Sequence, residues 1–170
     1  PRSLLTLALL ASLSLPACAA TPKERVVPIG QVQGEGARSA LDGQAVTIEG
    51  VVTGAFIEGL GGFFVQDSGD GNPQTSDAVF VTVEEGAPPS LAAGDRVRVR
   101  GIVGERKAGG DGTLTALHAP TIQPRGKGNI APTVLASQPG DWERYEGMLV
   151  RIDAPLTLSG THTLERFGEL

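Results

Sequence analysis

From residue 46 onward the chain alternates apolar and polar positions in short, β-branched runs. Val46-Thr47-Ile48-Glu49 continues into Val51-Val52-Thr53 and predicts a first strand. Phe63–Gln66 and Ala78–Val83 predict two more, and Arg96–Val103 shows the cleanest alternation of all. Thr113–Leu117 and Met148–Ile152 complete the set. Between them lie the turn-rich stretches Gly59–Gly62, Ser68–Ser76, Glu84–Gly94 and Lys107–Gly112. No long window carries a helical period, so the pattern predicts an all-β fold, a small barrel or sandwich with Gly-rich loops. The one helical candidate is Asp141–Glu146, with Asp141 as N-cap and Gly147 just past its end. Trp142 and Tyr145 share its face, and the turn is expected to plug one end of the barrel.

The two ends read differently. Leu4–Leu15 is an apolar run of 12 residues after Arg2, too short for a bilayer core, which takes about 20. It reads as the apolar region of an export signal spanning residues 1–19, with its start truncated. Leu15-Pro16-Ala17-Cys18 resembles a lipobox, whose Cys is the lipid-modified residue, while Ala17-Cys18-Ala19 also fits ordinary cleavage. The lipid-anchor reading is preferred because Cys18 is the only Cys and stands where a lipobox places it. The expectation is an exported protein: extracellular, periplasmic or an outer-membrane lipoprotein, touching membrane only through that anchor. Residues 20–28 read as a polar, proline-bounded tether, 29–127 as the barrel, and 128–170 as a short helix and further β-segment leading to a missing domain.

Composition adds two constraints. The 24 Gly and 12 Pro are scattered rather than periodic, which excludes collagen, and 40% hydrophobic residues suffice for a core. The net charge of −5 speaks against a generic DNA coat. That total conceals segregation. Residues 41–95 hold nine acids and no Lys or Arg, whereas 96–127 hold seven bases against Glu105 and Asp111. An internal echo is also present: Leu41–Ile48 (LDGQAVTI) and Tyr145–Ile152 (YEGMLVRI) share an apolar-acid-Gly-x-x-Val-x-Ile pattern at an offset of 104 residues.

Three blocks carry a family resemblance: Leu41–Thr53, Phe56–Val81 and Gly94–Glu105. Together they resemble the OB-fold region near the N-terminus of secreted bacterial endonuclease/exonuclease proteins of the ExeM/NucH type. Ile29–Gly34, Asp141–Leu158 and Leu164–Leu170 extend the likeness over most of residues 29–170. The resemblance implies an OB-like five-stranded barrel beside a separate endonuclease/exonuclease/phosphatase domain, which this chain lacks. That domain would use a divalent metal, Mg or Ca, and would be a partner of the barrel.

The residues themselves offer no catalytic set. His118 and His162 lie in unrelated segments without metal-ligand spacing, and no G-x-S-x-G elbow exists. Gly59-Leu60-Gly61-Gly62 lacks the Gly-Lys-Ser/Thr ending of a phosphate loop and reads as a turn. Asp67, Asp70, Asn72 and Asp77 raise the question of Ca²⁺, but the EF-hand order is not met, and such residues favour turns for conformational reasons. No catalytic residue, metal site or cofactor is assigned.

Binding rests on charge placement. On a strand, Arg96, Arg98 and Arg100 face one side while Val97 and Val99 face the core. Their ~6.5–7 Å spacing suits the phosphates of an extended single strand. Arg106 and Lys107 extend the basic stretch, and Phe64 and Phe80 are candidate stacking residues. The competing reading pairs the Arg row with an acidic neighbour strand, Thr47/Glu49 being its partners. The expectation is therefore an accessory module that holds DNA or RNA, with a non-catalytic scaffold module as the alternative.

Overall fold

A computed structural model of the chain describes residues 24–83, 90–109 and 112–157. The proposed export signal, Cys18 and His162 lie outside the described residues. Five strands form the body: β1 (Ala45–Phe56), β2 (Gly62–Gln66), β3 (Ala78–Thr82), β4 (Asp95–Gly109) and β5 (Gly112–Lys127). They close into a barrel in the order β1-β2-β3-β5-β4, with β4 returning to β1. The all-β, OB-like expectation holds. All pairings are antiparallel except β3 with β5, which is parallel and joins only Phe80 to Ala116 and Val81 to Leu117. Thr82 Oγ1 donates to the Leu117 carbonyl at 3.0 Å and reinforces that narrow seam.

Strand β1 serves two neighbours in turn. Its first half, Ala45–Val51, pairs with β4, and its second half, Val51–Phe56, pairs with β2. Gly50 stands at the changeover, where a Cβ would lie 2.6 Å from Val65 Cγ1 and 2.7 Å from the Gln66 carbonyl. Only a residue without a side chain lets the sheet fold over so tightly. Strand β5 runs far beyond the Thr113–Leu117 read from sequence, and among the described residues its later half pairs only with β4. There Pro120 and Pro124 need not donate to a further strand, and a register shift with Ala119 at φ 47° bends it.

The core is an inward-facing set of Val46, Ile48, Val52, Phe63, Val65, Val79, Val81, Val97, Val99, Val103 and Leu117. One end is closed by a helix of five residues, α1 (Ile29–Gln33), whose Ile29 and Val32 are fully buried in that core. This plug was not legible as a helix, since five residues carry too little periodicity. Its ends are set locally: Gly34 at φ 77° stops it, and the Asp67 carboxylate accepts the Ile29 N–H at 2.9 Å. The sequence expectation of a plug at Asp141–Glu146 is corrected. That stretch forms only a 3₁₀ turn, Glu143–Tyr145, and Trp142 is 44% exposed. Asp141 does act there as a local cap, accepting the Glu143 N–H at 3.0 Å.

Two further expectations change. The end of the tether, residues 24–28, lies against the barrel: Val26 bridges Thr47 in parallel, and the Val27 N–H donates to the Thr47 carbonyl at 2.8 Å. Its adjacent valines find an open strand edge and apolar surface, which a free tether would forgo. The Gly59–Gly62 turn is entered through one helical turn, α2 (Ile57–Leu60), ended by Gly61 in the left-handed region.

The echo between residues 41–48 and 145–152 is real in the backbone. Gly43 and Gly147 both adopt positive φ, 75° and 67°. The N–H of Gln44 reaches the Leu41 carbonyl at 2.9 Å, and that of Met148 reaches the Tyr145 carbonyl at 3.0 Å. Each turn leads to a strand with a parallel partner. Thr47 has Val26, and β7 (Val150–Ile152) has β6 (Thr133–Leu135). The further β-segment expected after the barrel is this two-stranded sheet.

If α1 is the plug, Ile29→Ala removes a fully buried side chain from the barrel end. Urea denaturation should show a loss of about 2–5 kcal/mol; a loss below about 1 kcal/mol would contradict a plugging role.

Candidate nucleic-acid interface

Arg96, Arg98 and Arg100 alternate along β4 with the fully buried Val97 and Val99, as the period of two requires. The register then decides their partners. Arg98 lies directly opposite Glu49 on β1, and its Nε meets Glu49 Oε1 at 2.6 Å. Arg100 lies opposite Thr47 and reaches past it to Glu24 Oε1 at 2.7 Å. Lys127, at the far end of β5, meets Asp95 Oδ1 at 2.5 Å. That hydrogen bond holds the Asp95 carboxyl below the usual carboxylate range. Three bases of this stretch are thus paired with acids from β1, from β4 and from the segment before the barrel. Arg96 has no ion pair among the described residues and lines a cleft of about 260 Å³ with Glu49, Gln66, Asp67 and Asn129.

Arg106 and Lys107 do not continue the row. Arg96–Ile102 of β4 pairs with β1, whereas Arg106 and Lys107 lie beyond that contact and pair only with β5. The Arg106 guanidinium sits 4.8 Å from the Phe80 ring centroid. Lys107 is exposed.

The aromatic candidates are on the outer face, opposite the core residue Phe63, but they do not form an open platform. Phe80 is fully buried, sealed by Arg106 and by Phe64, whose ring packs edge-on at 5.0 Å. Phe64 is half-buried, with Phe56 at 6.1 Å on one side and the Gly147 backbone against its ring. Phe80 is therefore corrected from a stacking residue to a packing one: three rings and a guanidinium satisfy one another. The sequence reading missed Phe56, 49% exposed at the end of β1; its only sign was an aromatic closing an otherwise small-residue run.

A second polar cluster went unread. Glu146 Oε1 accepts the Thr115 N–H at 3.1 Å and Gln33 Nε2 at 3.2 Å, and Gln33 Nε2 also donates to the Ala78 carbonyl at 2.5 Å. These groups fill the gap where β3 and β5 part. Glu105 Oε1 accepts the Ser39 N–H at 3.1 Å and Thr115 Oγ1 at 3.2 Å nearby. Burial foremost, together with the negative charges of Glu143 and Glu105, pushes the Glu146 carboxyl up to about 7 against the hydrogen bonds that favour its ionised form.

The acidic loop serves backbone N–H groups of its own and of α1. Asp67 accepts the N–H groups of Ile29 and Gly69 at 2.9 and 2.8 Å, and Asp70 accepts that of Asn72 at 2.9 Å. Among the described residues no group of three or more His, Cys, Asp or Glu is arranged to hold a metal. His118 sits on β5 opposite Ile102. No described helix is long and apolar enough to cross a membrane.

Comparison with protein-family models, curated proteins and solved structures gives no match to this chain.

Two measurements follow from this geometry. A double-mutant cycle of Arg98→Ala and Glu49→Ala should give a coupling of about 0.2–1 kcal/mol, the range of surface pairs; additivity within error would mean that the pair contributes nothing. Burial, and then the charges of Asp67 and Asp70, raise the Asp77 carboxyl above its usual 3.8. The folded state therefore favours the protonated form, and that contribution is lost as pH rises past 3.8 through the raised value. Asp77→Asn should accordingly raise the melting temperature at pH 7 and have a diminishing effect as pH falls below 3.8. An equal effect at both pH values would contradict a charge origin.

Proposed function

We propose that this chain is a non-catalytic interaction module of an exported nuclease-type protein, packing on the adjoining catalytic domain or on an envelope partner. The observation that carries the reading is the pairing of Arg98 with Glu49 and of Arg100 with Glu24. Two guanidiniums of the phosphate-spaced row are already matched, and the neighbouring aromatics are packed rather than displayed. The nuclease context comes from the resemblance of residues 29–170, in which an adjoining catalytic domain would supply the metal and the hydrolysis.

Nucleic-acid binding is the second reading, favoured by one observation: Arg96 stands on the same face as the two paired arginines and is itself without an ion pair among the described residues. Exposed pairs are worth only about 0.2–1 kcal/mol, so a polyanion can displace the carboxylates. DNA and RNA would be held alike, through phosphates.

Anisotropy of a labelled oligothymidine or oligouridine strand at ~50 mM salt separates the two readings. The interaction module should give no binding. Binding that weakens with salt, with a shallower salt slope in Arg96→Ala or Arg98→Ala, would overturn it in favour of the nucleic-acid reading.

A further inference from the structure

The segment after the 3₁₀ turn lies across the outer face of β2 and β3. Gly147 rests on the Phe64 ring, close enough that a Cβ would lie 2.7 Å from Cδ1. Met148 and Leu149 join Phe56, Phe64, Thr53 and Gly54 around a cleft of about 250 Å³. Three polar anchors fasten the segment to the barrel, and the Thr133 N–H of β6 donates to the Leu149 carbonyl at 2.9 Å. Ser76 Oγ donates to the Glu146 carbonyl at 2.6 Å, and the Leu149 N–H donates to Gln66 Oε1 at 2.8 Å. The third is the Glu146 carboxyl, which inserts between β3 and β5 to accept from Thr115 and Gln33.

We propose that residues 142–149 form a proton-controlled cover over the aromatic face of β2 and β3, closed when the Glu146 carboxyl is protonated and loosened when it ionises. Glu146 enters a half-closed seam whose facing groups, among the described residues, give its charge no cation. From α1 it meets Gln33, and from β5 it meets Thr115. Ser76 and Ala78, before and on β3, are neutral, and Asp77 between them belongs with Asp67 and Asp70. From β4 the nearby acid is Glu105, whose Oε2 is buried and has no partner among the described residues. The cover itself adds Glu143, while its Arg144 lies over the Tyr145 ring at 5.3 Å. Arg106, the cation β4 brings to this side, lies over Phe80.

The sign follows from linkage. A carboxyl raised from 4.5 to about 7 in the closed form binds its proton more tightly there than when released. Closure is therefore fully favoured below 4.5 and is weakened as pH rises through about 7. The shift corresponds to about two orders of magnitude in the closing equilibrium. Opening would bare Phe64 beside the already exposed Phe56 and give the module an apolar face that the closed form hides.

Amide hydrogen exchange on the whole chain, corrected for intrinsic rates, tests this at the Leu149 N–H. Protection there should fall at least tenfold between pH 5 and pH 8, while Val99 in the barrel core stays constant. Glu146→Gln keeps the acceptor oxygen and removes the charge, so its Leu149 protection should be high and flat. In the wild type, the ¹³C titration of the Glu146 carboxyl in the closed form should centre on the pH at which the protection loss levels off, a measurement that needs no variant. Constant Leu149 protection in the wild type, a fall shared equally by Val99, a persistent fall in the Gln variant or a carboxyl titration well away from the pH at which the loss levels off would each overturn the proposal.

Discussion

The barrel depends on how its ring closes. Four of its junctions are antiparallel, but the fifth joins β3 to β5 in parallel through only two residue pairs. Where those strands part, the Thr115 N–H would face the gap unpaired and the Ala78 carbonyl would keep only a long bond from Ser76 Oγ at 3.4 Å; a buried backbone group left unmade costs about 1–3 kcal/mol. Gln33 and Glu146 complete them from two directions. The closure thus recruits the helix before the barrel and the segment after it. Residues that look peripheral in the chain, at 33 and at 146, are part of the same wall.

That dependence also explains the crowding of the outer aromatic face. Once Glu146 is drawn into the seam, Gly147 must pass over β2, and it does so on the Phe64 ring. Phe64 then packs on Phe80, and Arg106 closes the far side. A face that would otherwise present rings to a ligand becomes a small satellite core. Carboxyl burial, a glycine with positive φ and ring packing act as one unit.

The charges illustrate a second consequence of closure. Acids and bases occupy separate stretches of the chain, yet antiparallel pairing of β1 with β4 sets Glu49 against Arg98, and β4 with β5 brings Lys127 back to Asp95. Even the residues before the barrel take part, through Glu24 and Arg100. A chain segregated along its length is mixed on its surface. The competition between acidic neighbours and phosphate ligands is therefore decided at the register of β1 against β4, one residue at a time.

Much of the fold was legible from local pattern. The alternation of Val46–Thr53, Phe63–Gln66, Ala78–Val83 and Arg96–Val103 predicts strands because side-chain direction repeats every two residues, and each of these runs falls on a strand. The turn at Gly147 and the outward placement of Phe64 were also readable, since both depend on one residue and its neighbours. What only the tertiary structure decided were relations between distant residues. They include α1 as plug, the reach of β5 through Pro120 and Pro124, the partners of each arginine, the burial of Phe80 and the carboxyl in the seam. Periodicity states which way a side chain points along its own strand; what meets it there is fixed by register and closure, to which the period of a single strand is blind.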